Sequence, residues 1–193
     1  WGIAKARLMK AFAKDSVNAG AHYVMARYFF EPGNPEFHLD SACTHLKSAI
    51  HDYSLTPPRQ RDRLRRIPLD SVILLALRMK IDSAAFRRAT DINTEEAYTF
   101  FLKTFVHAQQ REKAIELRNE VAYAEAVLAN THWAFAAFLQ KYPHSPQAPA
   151  ASARYDKLLY AYLTKKGDLA GYEAFLKQYP DSPYRQEAEK QIF

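Results

Sequence analysis

The sequence predicts an all-α fold, an α-solenoid of stacked antiparallel helix pairs, and three observations carry that prediction. An aromatic phrase recurs at a fixed step of 37 residues: Phe101-Leu102, Phe138-Leu139 and Phe175-Leu176. A constant period of this size is the mark of a repeat architecture. Within each copy the apolar residues (Tyr98, Phe101, Leu102 and Phe105 in the first) fall at i, i+3, i+4 and i+7, one face of a helix. The chain also holds only five glycines and lacks a glycine-rich or strand-like spacing that would argue for another fold.

The N-terminal region, residues 1–53, follows a looser spacing. Ala4-x3-Leu8 and Ala11 are followed by His22-x2-Met25-Ala26-x2-Phe29, and then by Ala42-x3-Leu46 and Ala49. This order resembles the tetratricopeptide repeat with degenerate signature residues. Four extra residues fall at Glu31-Pro32-Gly33-Asn34-Pro35, where a turn is expected, and Ser16 and Ser54 stand where that repeat usually has proline. The resemblance implies paired helices stacked into a right-handed solenoid that presents a surface to other proteins.

Residues 54–91 read as a basic connector followed by the long helix of a divergent repeat, roughly 69–90. Ala85-Phe86 is in phase with Ala122-Tyr123, which carries the period backwards into this helix. The connector holds the run Arg59-Gln60-Arg61-Asp62-Arg63-Leu64-Arg65-Arg66. In a helix Arg59, Arg63 and Arg66 share one face, and Arg61 and Arg65 lie near another.

Residues 92–193 contain three repeats of the 37-residue period, the last truncated. Asn93-Thr94, Asn130-Thr131 and Gly167-Asp168 are in phase, and Thr or Asp there suits a helix start by accepting from free N–H groups. Each first helix should stop where Tyr142-Pro143-His144-Ser145-Pro146 and Tyr179-Pro180-Asp181-Ser182-Pro183 remove N–H groups and clash with the preceding turn. Second helices are expected at 110–128, 147–164 and from 184. The first copy has Val106-His107-Ala108 in place of the prolines, so its turn is expected to differ in detail. The phrase Phe-Leu-x2-Tyr-Pro-x-Ser-Pro-Tyr resembles repeats of bacterial envelope proteins, such as outer-membrane assembly lipoproteins and periplasmic division-coordinating proteins. That resemblance implies a periplasmic or outer-membrane-associated scaffold, with the cytoplasm as the alternative. The repeat breaks off at Phe193 and the chain opens on Trp1, which reads as a piece of a longer, multi-domain protein.

Charge is uneven: residues 1–91 carry 15 Lys/Arg against 9 Asp/Glu, whereas residues 92–193 carry 12 of each. No run of 18 apolar residues exists, so no transmembrane segment is expected. Cys43 stands alone and reads as a small buried residue. No catalytic, cofactor-binding or metal-ligating set is expected. There is no phosphate-cradling glycine loop and no nucleophile elbow. His38 and His45 lie two helical turns apart, about 10 Å, too far for one ion, and His45 and His51 occupy different faces. Glu95 and Glu96 are explained by the helix dipole at a helix start.

The expected function is a protein-interaction scaffold for a protein or peptide partner, without nucleic acid, because no aromatic platform accompanies the arginines. Candidate partner-binding residues are Arg59, Arg61, Arg63, Arg65 and Arg66, where an acidic contact competes with plain solvation. Beside the aromatic seam, Lys103, Gln140 and Lys177 form an in-phase row for which a solvated face is the simpler account. The alternatives are a spacer or oligomerisation module, and the accessory helical domain of an enzyme with its active site elsewhere.

Overall fold

The computed structural model describes residues 2–14, 17–64, 67 and 69–192, apart from the side chains of residues 4, 14 and 62–64. Among these residues the chain forms eleven helices and no strand. The all-α expectation holds. The helices are α1 (Gly2–Lys14), α2 (Ala19–Phe30), α3 (Leu39–Leu55), α4 (Pro58–Leu64), α5 (Ser71–Ile92), α6 (Glu95–Thr104), α7 (Arg111–Ala129), α8 (His132–Lys141), α9 (Ala148–Leu163), α10 (Leu169–Gln178) and α11 (Arg185–Lys190). They divide into two compact units, residues 1–114 and 115–193. None is long and apolar enough to cross a membrane among the described residues.

In the first unit α2 and α3 pack most extensively, α1 lies on α2, and α5 lies on both α3 and α6. The residues that set the N-terminal spacing are the ones that meet there. Ala26, Ala42 and Ala49 are fully buried, with Met25 and Leu46 beside them. Small side chains let two helix backbones approach closely. The loop between α2 and α3 is held by Asn34, which is buried. Its amide donates to the Tyr28 carbonyl at 2.7 Å, and its carbonyl accepts from the Glu36 N–H at 3.1 Å. The stretch after α3, undecided between helix and loop on sequence grounds, contains the short helix α4.

The 37-residue period is realised in backbone geometry. Asn93, Asn130 and Gly167 occupy the left-handed region, with φ of 52°, 48° and 66°. Asparagine and glycine are the residues that tolerate it. The next residue in each copy caps a helix: Thr94, Thr131 and Asp168 accept from the N–H groups of Ala97, Ala134 and Gly171. Each helix ends alike, with the N–H of Phe105, Tyr142 or Tyr179 donating to the carbonyl of Phe101, Phe138 or Phe175 at 2.8 Å. The following turn repeats as well, through Ala108 to Phe105, Ser145 to Tyr142 and Ser182 to Tyr179, each at 3.1 Å.

The first copy, expected to turn differently in detail, differs only slightly. The same backbone bonds form without the prolines, and only the Arg111 N–H to Ala108 carbonyl bond is longer, 3.4 Å against 3.0 Å in the later copies. Proline forbids continuation of a helix but is not needed to stop one when a buried residue anchors the turn. Ala108 is buried at that place.

The aromatic contacts repeat too. Phe86 meets Phe101 at 5.5 Å, Tyr123 meets Phe138 at 5.6 Å and Tyr160 meets Phe175 at 5.1 Å between ring centroids. Within the helix ends, Phe101–Phe105, Phe138–Tyr142 and Phe175–Tyr179 lie at 5.4, 5.6 and 5.7 Å. In the second unit α8 packs on α9, and α10 on α9 and α11. Removing one cap isolates the local term. Thr131 is exposed, so Thr131→Ala loses little beyond its hydrogen bond to Ala134. Urea denaturation of that variant should show a loss of about 1 kcal/mol.

Candidate functional site

The arginine run divides. Arg59 is exposed on α4. Arg61 is not free: its Nε donates to the Thr56 carbonyl at 2.8 Å, its Nη2 reaches the Ser54 carbonyl at 3.3 Å, and its guanidinium lies 4.9 Å from the Tyr53 ring centre. It satisfies the open carbonyl end of α3, where a cation also favours the dipole. Arg61 therefore clamps the end of α3. The Arg63 side chain, Arg65 and Arg66 lie outside the described residues. Lys103, Gln140 and Lys177 are each exposed at the same position of α6, α8 and α10.

A largely apolar concavity lies elsewhere, in the first unit. A groove of about 360 Å³ runs between α3 and α5 and is closed at one end by the turn after α6. One wall is a single face of α3, formed by Cys43, Leu46, Lys47, Ile50, His51 and Ser54. These positions advance by three, four and seven, the spacing that keeps side chains in line along a helix. The facing wall is Arg78, Ile81 and Asp82 of α5, and the end is Phe105, Val106 and His107. Lys47 ties the floor together by donating to the Thr104 carbonyl at 2.8 Å. A pocket of this size, mostly apolar with a few convergent polar groups, is the form taken by ligand sites.

Its polar groups are unusual in one respect. Asp82 is a carboxylate only 6% exposed. Burial raises its pKa above the ordinary carboxylate value, while Arg78, His107 and Lys47 pull it back. Burial likewise raises the Cys43 thiol, against the pull of Lys47. A thiol held protonated in this way is not a nucleophile. The lone cysteine is buried, as the sequence predicts.

A second cluster lies between α1, α2 and α3. His22 Nδ1 and His45 Nδ1 are 2.9 Å apart. The Phe12 ring lies 4.6 Å from the His22 ring, and Phe29 stacks on His45 at 5.6 Å with 9° between planes. His22 Nε2 is 3.9 Å from Asp52 Oδ2, which is buried with no hydrogen-bond partner among the described residues. Burial, then the neighbouring His22, holds the His45 pKa below the ordinary imidazole value. No group of three or more His, Cys, Asp or Glu residues fit for a metal ion occurs among the described residues.

Neither feature was singled out from sequence. Residues 43–54 carry the groove wall in a legible helical phase, but the element that faces them is set by tertiary packing. His22 and His45 are 23 positions apart on different helices, and no local spacing joins them. Searches against protein families, curated proteins and solved structures find no match to this chain.

Proposed function

We propose that this chain is a non-catalytic protein-interaction scaffold that holds a linear partner segment in the groove between α3 and α5. The observation that carries the reading is the groove itself: an open, largely apolar trough with one straight helical wall and polar groups along it. The Cys43–Ser54 face extends about 16 Å at 1.5 Å per residue, enough for several residues of a bound peptide. Helices fixed by packing hold such a surface ready, which lowers the ordering cost of binding. The similarity of residues 1–53 to tetratricopeptide repeats supports the same class of function. A place in a bacterial cell envelope rests on the phrase shared by the C-terminal repeats.

Selection of a random displayed peptide library on the protein tests the proposal. The selected peptides should share a bulky apolar residue, and Ile50→Lys should weaken them at least about tenfold, since a buried apolar anchor carries much of such binding. Ile50 is half-buried on the groove wall, so the variant's thermal melt is checked alongside. Peptides that bind the Ile50→Lys protein equally well would move the site away from the groove.

A further inference from the structure

We infer that one end of the second unit, formed by the α7–α8 and α9–α10 connections, docks on the surface of an anionic phospholipid bilayer. The inference concerns this unit alone and stands apart from the groove. α8 and α9 pack as a hairpin whose turn lies at residues 142–147, so the start of α8 and the end of α9 share the opposite end. α10 starts there too, after residues 164–168. Four of the five large apolar side chains that stand exposed among the described residues of this unit collect at that end: Leu128 (86%), Trp133 (60%), Tyr162 (52%) and Leu169 (53%). The fifth, Ile115, lies near the start of α7. Exposed apolar residues scattered singly are ordinary, whereas a group of them marks a surface that meets something.

The repeat does not require apolar residues at these places. One period earlier, Leu128, Trp133 and Tyr162 correspond to Asp91, Glu96 and Glu125; two periods earlier, Leu169 corresponds to Glu95. Those carboxylates stand in α5, α6 and α7, so the helices form equally well with a charge there. The apolar side chains therefore serve something outside the fold. Two of them are also held in place. The ring of His132, itself buried, lies 3.8 Å from the Trp133 ring and 4.7 Å from the Tyr162 ring, and those two meet edge to face at 5.0 Å. Rings supported in this way lose little freedom on docking.

Side-chain chemistry and charge select the occupant. Tryptophan and tyrosine join an apolar body to a polar tip, which suits them to the boundary between lipid chains and headgroups. Leu128 and Leu169 add purely apolar surface. Leu128, at 86% exposure, projects from its helix, the form of a side chain that enters a yielding layer and not of one that walls a pocket. The α9–α10 turn carries Lys165 and Lys166, both exposed. Their long stems can lie along apolar surface while the ammonium groups reach a layer of phosphates. Asp168, the acidic residue of that turn, already accepts from the Gly171 N–H as the cap of α10. The lysine pair would repel a cationic partner, and a neutral sugar stacked on the rings would leave both leucines in water.

The test follows tryptophan fluorescence of the whole chain carrying Trp1→Phe, which leaves Trp133 as the one tryptophan. Vesicles of phosphatidylcholine with and without phosphatidylglycerol are the probes. With phosphatidylglycerol present, Trp133 emission should shift to the blue and be quenched by lipids brominated on their acyl chains. Binding should weaken at least about tenfold without the anionic lipid, and by a similar factor when Lys165→Gln and Lys166→Gln are combined, since each lysine near such a surface is worth about fivefold. Trp133 emission that ignores the anionic vesicles overturns the inference. So does vesicle binding that leaves Trp133 unquenched, or equal binding to both kinds of vesicle. Library peptides lost on Trp133→Ala, with no response to vesicles, would assign this end to a protein partner and overturn the lipid assignment. The fluorescence readout needs no substitution at the docking end, so a folding defect there cannot imitate the result.

Discussion

Phe138→Ala is expected to destabilise the second unit by about 3–5 kcal/mol, the usual cost of removing a buried aromatic ring. Phe138 is 4% exposed and sits in a cluster with Ala122 and Ala126 of α7, Phe135 of α8 and Ala151 of α9. Tyr123 and Tyr142 close over it at 5.6 Å each. The neighbours on one side are alanines, which have no rotamers with which to fill the space. The cavity therefore persists, and the cavity term adds to the lost transfer free energy. Lys177→Ala, at an exposed position of α10, should stay within about 0.5 kcal/mol. Urea denaturation followed by circular dichroism distinguishes the two. An unchanged midpoint for Phe138→Ala would mean that the ring is not part of a packed seam.

The same ring shows why the repeat was readable and the groove was not. Phe101, Phe138 and Phe175 pack on Phe86, Tyr123 and Tyr160, in-phase residues of the preceding helix, so their environment is itself periodic and leaves a trace in the sequence. The left-handed residues Asn93, Asn130 and Gly167 and the caps Thr94, Thr131 and Asp168 are local in the same sense, because each is fixed by bonds within a few residues. The solenoid expected from the repetition concerns long-range stacking, a property distinct from the pairwise packing of neighbouring helices. Arg61 illustrates the opposite case. In a run of arginines it is indistinguishable from its neighbours, yet its guanidinium is spent on the Thr56 and Ser54 carbonyls at the end of α3. Asp82 and the pair His22–His45 owe their character to burial by helices distant in sequence, and burial of a single polar residue has no period to reveal it.

Acidification should destabilise the first unit through His45. The 2.9 Å separation between His22 Nδ1 and His45 Nδ1 requires one ring to donate and the other to accept. Two fully protonated rings cannot do this, because both nitrogens would carry hydrogens. The surroundings offer little relief. Phe12 and Phe29 cover the rings, Asp52 stands 3.9 Å from His22 Nε2, and on the open side His45 shares a shallow groove with His38 and Asp40. His38 is committed to the N–H and hydroxyl of Ser41, and Asp40 pairs with Arg88 at 2.9 Å.

The sign follows from the direction of the shift. The folded-state pKa of His45 lies below the ordinary 6.5. As pH falls through that value the unfolded chain takes up a proton that the folded chain refuses, so stability is full above it and declines below it. Each unit of depression is worth about 1.4 kcal/mol when expressed completely. Asp82 and Asp156 act in the opposite sense, since burial raises both and protonation on acidification favours the folded form. The histidine contribution is therefore read by difference. His45→Phe keeps an aromatic ring against Phe29 and removes the titration. Urea denaturation between pH 7.5 and 5 should show a steeper loss of stability in the unaltered protein than in His45→Phe. Parallel curves would mean that the histidine pair does not resist a second proton.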